Sequence, residues 1–136
     1  MNSNVINVVN EEGKDILTKL LKPFFSTIEP AFFEHASEII LEAPILNKGD
    51  KQLEASVSFK KDGRTYALKI DENYHPLITS SRIKIIAGIS IALIDGIKNG
   101  KMRIRYDKEL INVKVQTILR DNHETVILIP QWGNVT

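Results

Sequence analysis

The side chains able to do chemistry are few and scattered in this chain, and spacing decides which of them could act together. Cysteine is absent, which removes disulfides, thiolate metal sites and a cysteine nucleophile at once. Gly88-Ile89-Ser90-Ile91-Ala92 has the outline of a hydrolase nucleophile elbow with Ser90 at the reactive position. That chemistry needs a strained strand-to-helix turn and a histidine partner, whereas the surrounding pattern places Ser90 within a helix, so the match is set aside. His35, Glu38 and Glu42 would share a helix face at metal-ligand spacing, yet a solvated charged stripe is the favoured reading of them, and no metal or cofactor is expected. Thr79, Ser80, Ser81 and Arg82 combine hydroxyls, helix N-terminal N–H groups and a cation, the parts of an anion site. Capping explains the same hydroxyls without a ligand. No acid and base can be placed together, so no catalytic residue is assigned.

A stronger pattern lies in the C-terminal third. Lys101, Arg103 and Arg105 alternate with Met102, Ile104 and Tyr106, the period of a strand with one apolar face. A turn over Asp107 to Leu110 would set Lys114 opposite Arg103 and Asn112 opposite Arg105, with Ile127 and Ile129 on the same side one strand further on. Lys101, Arg103, Arg105, Lys114, Ile127 and Ile129 then form a basic and aliphatic face suited to an acidic protein partner. Nucleic acid could use the same charges, although the face lacks the aromatic side chains on which bases stack. Basic residues on a strand edge also simply prevent unwanted pairing. Gly88, Ala92 and Gly96 recur every four residues, a stripe that would let a second helix approach, from this chain or from another copy in a homodimer.

These residues must be held by regular elements. Thr79 to Gly100 reads as a long buried helix, with Ile83, Ile85, Ile86, Ile89, Leu93, Ile94 and Ile97 on one arc and Lys84, Asp95, Lys98 and Asn99 on the other. Gly100 would stop it. Upstream, Asn10 caps a helix carrying Ile16, Leu17, Leu20, Leu21 and Phe24, which Pro23 bends or ends. Pro30 permits a second helix, Ala31 to Ala43, although Ile39, Leu41, Ala43 and Ile45 also alternate as a strand over 38–46. Asp62-Gly63 closes a hairpin that pairs Phe59 with Tyr66 and Val57 with Leu68. Val5 to Val9 is a short edge strand, Asp121-Asn122 marks a turn, and Thr125 to Ile129, apolar on both faces, belongs in the interior of a sheet.

The expected fold is α+β: a single antiparallel sheet of about five strands, with a long central helix on one face and N-terminal helices beside it. In element order alone, helix, hairpin, long helix and three-strand meander, it resembles roadblock and longin-like modules, which implies a binding platform. The 136 residues fit one domain, 1–136. Net charge is +1, but residues 1–78 carry nine Lys/Arg against twelve Asp/Glu and residues 79–136 nine against five. That asymmetry is too small for a dedicated nucleic-acid domain. No basic segment precedes an apolar core at the N-terminus, and Lys84 and Asp95 interrupt the longest apolar run, so neither a secretory signal nor a membrane span is expected. The expectation is a cytoplasmic, non-enzymatic binding or adaptor module, with a nucleic-acid accessory protein second and a small enzyme third.

Overall fold

The computed structural model describes residues 6–10, 12, 14–15, 21–44 and 55–132. Its elements are β1 (Ile6–Val9), α1 (Lys22–Phe33), β2 (Glu38–Pro44), β3 (Ser56–Lys61), β4 (Arg64–Ala67), α2 (Pro76–Ala87), β5 (Gly96–Tyr106), β6 (Glu109–Arg120) and β7 (His123–Pro130). The strands form one antiparallel sheet in the order β1-β5-β6-β7-β2-β3-β4. Seven strands replace the five or so expected, and two stretches depart from the helical reading: one strand starts inside the expected long helix, and another stands where the second N-terminal helix was expected to end.

The first is Gly96–Tyr106. The helix expected over 79–100 begins at Pro76 and ends at Ala87, where Gly88 takes a left-handed conformation (φ 75°) and closes the last turn onto Ile85 and Lys84. Beyond it, residues 96–106 pair along their whole length with 119–109. Isoleucine satisfies both periods, so Ile91 and Ile94 fall in the connector and Ile97 in the strand without breaking the apparent helical pattern. Consequently Ile85, Leu93, Ile94 and Ile97, expected on the buried arc, are each more than half exposed. The helix start differs too: His75 Nδ1 accepts from the Ile78 N–H, and Pro76 occupies the first turn, where its missing N–H costs nothing.

The second is Glu38–Pro44, which pairs with β3 on one side and β7 on the other. Its alternation, not its helical spacing, is realised. Among the described residues one helix precedes it, α1, with Pro23 in its first turn and Pro30 inside it near the end. Pro23 therefore starts a helix rather than stopping one. Ile16, Leu17, Leu20 and Ile45 lie outside the described residues. With these changes the element order departs from that of roadblock and longin-like modules.

Three two-residue turns set the registers, Asp62-Gly63, Asp107-Lys108 and Asp121-Asn122, all with positive φ at both positions, as tight hairpins require. The middle one is shorter than expected, so Ile104 faces Ile111 and Met102 faces Val113. A shift of two residues keeps every side chain on its face.

Both helices bury their apolar side chains against the same side of the sheet. Phe24, Ile28 and Phe32 of α1 and Ile83 and Ala87 of α2 join Val8, Ile39, Leu41, Val57, Ile104, Val113, Val115, Val126 and Leu128 in one core. Gly100 makes the closest approach possible. A Cβ there would overlap the Ala87 carbonyl oxygen and lie 2.8 Å from Ile89 Cγ1, so the end of α2 rests directly on the β5 backbone. Among the described residues, no helix is long and apolar enough to cross a membrane.

Candidate binding face

With α1 and α2 on one side, the other side of the sheet is left half-buried to exposed along its alternate residues. Strand pairing arranges that open face in rows. Ile97, Ile118, Thr125, Glu42 and Ser56 form one; Asn99, Gln116, Ile127, Ile40 and Ser58 the next; Lys101, Lys114 and Ile129 a third. Arg103 beside Asn112, and Arg105 beside Leu110, complete the β5 end. The centre is thus aliphatic (Ile118, Ile127, Ile129, Ile40), and the β5–β6 side is basic.

The six residues singled out on this face do lie together, with two changes of partner. Lys114 stands opposite Lys101, not Arg103, and Asn112 opposite Arg103, not Arg105, because of the shorter turn. Arg103 Nε donates to Asn112 Oδ1 at 3.1 Å, and Arg105 pairs with Asp15 at 3.5 Å. The two arginines are therefore partly committed inside the chain, whereas Lys101 and Lys114 are exposed and form no ion pair among the described residues. Like charges placed directly opposite destabilise a sheet. The arrangement favours an anion above them.

Where β1 stops, a cleft of about 700 Å³ opens beside these lysines, lined by Val9, Asn10, Ile86, Lys101, Met102, Arg103, Asn112, Val113, Lys114 and Gln131. Among the described residues of that lining there is no carboxylate. On the far side of the aliphatic centre the sign reverses, because β2 lies next to β7: Glu42 meets His123 Nε2 at 2.7 Å and Glu38 meets Lys60 at 3.9 Å. Reading Ala31 to Ala43 as a helix, with the strand over 38–46 only as its rival, hid this acidic margin.

The remaining candidates are dispersed. Gly88 caps α2, Ala92 is in the connector and Gly96 opens β5, so they form no helical stripe. Ser80, Ser81 and Arg82 sit in the second turn of α2, past its N-terminal N–H groups, and Ser80 is buried against a carboxylate, which repels an anion. Ser90 is exposed in the connector, where its Oγ accepts from the Ala92 N–H at 3.1 Å. His35 packs at a tilt against Trp132 with ring centres 4.4 Å apart, His75 caps α2 and His123 meets Glu42, so the His35, Glu38 and Glu42 triple does not assemble.

One constellation escaped the sequence reading. Lys84 Nζ lies 2.6 Å from Glu124 Oε2, and Ser80 Oγ donates to Glu124 Oε1, with Lys84 and Glu124 each only 3% exposed. Lys84, expected on the solvated arc, points into the core from the same side of α2 as Ile83 and Ala87. The available signal was phase: Glu124 stands in step with Val126 and Leu128, the inward positions of β7. The trio does not line the cleft and its members are paired with one another, so it orients α2 on the sheet rather than offering a nucleophile.

Comparison with known protein families and with curated proteins returns no match.

Proposed function

We propose that the chain is a protein-binding module whose open sheet face receives an acidic partner. The observation that carries this is the pair Lys101 and Lys114, opposed across β5 and β6 beside Ile129 and a cleft whose described lining residues include no carboxylate. Aliphatic rows supply area to desolvate, and the cations select sign and steer encounter. Among the described residues its rows hold no aromatic side chain for stacking bases.

The test uses two labelled probes of matched charge, a peptide alternating glutamate and valine and a single-stranded oligonucleotide. Lys101→Glu/Lys114→Glu is a better variant than reversal of Arg103 and Arg105, which would also break bonds to Asn112 and Asp15. The peptide should bind, and the double reversal should weaken it about tenfold or more while the melting midpoint stays within about 2 °C. Preference for the oligonucleotide with a steep salt dependence would transfer the face to nucleic acid. Binding of neither probe would remove the proposal.

A further inference from the structure

We infer that the partner's binding segment is an extended acidic strand that adds to the sheet along β5, in line with β1. This rests on the face proposed above and specifies how it is engaged. β1 covers only Arg103 to Tyr106 of β5, because after Val9 the chain turns back: Asn10 Oδ1 accepts from the Glu12 and Lys14 N–H groups, and Asp15 returns to Val9. Residues 96–102 therefore have β6 on one side and no strand on the other among the described residues.

The hairpin geometry says which groups wait there. A two-residue turn makes Tyr106 and Glu109 a hydrogen-bonded pair, so even-numbered residues of β5 bond to β6 and odd-numbered ones turn their N–H and C=O outward. The Gln131 N–H to Asn112 oxygen bond on the opposite side of β6 fits the same parity. Ile97, Asn99 and Lys101 thus turn outward backbone groups that have no partner among the described residues, and the connector before them makes no backbone hydrogen bond to that edge. Such an edge is a template for strand addition.

Charge selects the occupant. On an added antiparallel strand, residues opposite Asn99 and Lys101 share the open face with Lys101 and Lys114 and meet these cations best as glutamate or aspartate. Their neighbours point toward Met102 and Ile86 in the cleft and are best aliphatic. A second copy of this chain would bring an edge with Lys98 and Lys101 against one of the same sign, so the complementary occupant is an acidic peptide.

Parity makes the test sharp. In the alternating glutamate–valine peptide, the glutamate N–H groups point at β5 and the valine N–H groups away from it. N-methylation of the glutamates should weaken binding at least about tenfold, while N-methylation of the valines should change it less than about threefold. In the complex, the Asn99 and Lys101 amides should gain protection from hydrogen exchange. If both methylated peptides bind like the parent and still respond to Lys101→Glu/Lys114→Glu, the acidic-partner reading stands and strand addition is wrong. If the parent peptide ignores the charge reversal, both fall. A concentration-dependent dimer of the free protein, abolished by Lys101→Glu, would assign the edge to a second copy and overturn the proposal.

Discussion

Glu124 occupies a position where β7 otherwise turns apolar side chains inward, and its two oxygens are each engaged, one by Lys84 and one by Ser80. A charge pair this deep gains little net stability, because desolvation offsets the attraction, but losing one member strands the other. Glu124→Leu should lower unfolding free energy by about 3–5 kcal/mol in urea titration, whereas Ser80→Ala/Lys84→Met/Glu124→Leu should return to within about 1 kcal/mol of the parent. Tyrosine provides a second residue-scale prediction. Burial raises the pKa of Tyr74; at Tyr106 burial acts first and the carboxylates of Glu29 and Asp107 add to it, and the buried Tyr106 hydroxyl has no hydrogen-bond partner. Both phenols stay neutral in the fold when the unfolded chain begins to ionise, so stability is complete below the ordinary value of 10.0 and falls as pH rises beyond it. Tyr74→Phe/Tyr106→Phe should flatten that alkaline loss in melting curves recorded from pH 8 to 11.

Among the elements, β5 has two demands placed on it, since its apolar side carries the end of α2 and its outer edge is half uncovered. Gly100 reconciles them by letting backbone meet backbone. Gly100→Ala should cost about 1–3 kcal/mol and shift the melting midpoint down, by forcing Ala87 and Ile89 away. Gly100 was visible in the sequence as a helix terminator, a reading that used the right residue for the wrong reason. The distinction was not available locally. Ile83 to Ile97 satisfies a helical arc if one counts only apolar positions, and what separates the two states is Gly88, whose left-handed φ ends α2 early, together with partners for β5 that are supplied by β6. Turn chemistry was easier to read. Asp62-Gly63 and Asp121-Asn122 stand out as paired turn residues, whereas Asp107-Lys108 does not, because lysine at positive φ is unusual and the turn was therefore drawn too long.

Across the whole molecule, the asymmetry of the sheet is what gives the candidate face its meaning: one side holds both helices and the core, and the other presents cations, isoleucines and a margin of carboxylates. The basic half was legible because Lys101, Arg103 and Arg105 alternate with apolar residues within a single strand. The acidic half was not, because it depends on β2 joining β7, a pairing between residues 39–44 and 123–128 that no local pattern announces. The buried trio was hidden for the same reason, being split between α2 and β7.

That topology also orders events in time. During synthesis from the amino end, β1 and β2 leave the ribosome long before β5 and β7, the strands they must lie against. The nascent amino-terminal half can close its β2–β3–β4 pairings, but its remaining apolar surface stays unclaimed until the final meander emerges, so chaperone occupancy should be greatest just before that meander is released.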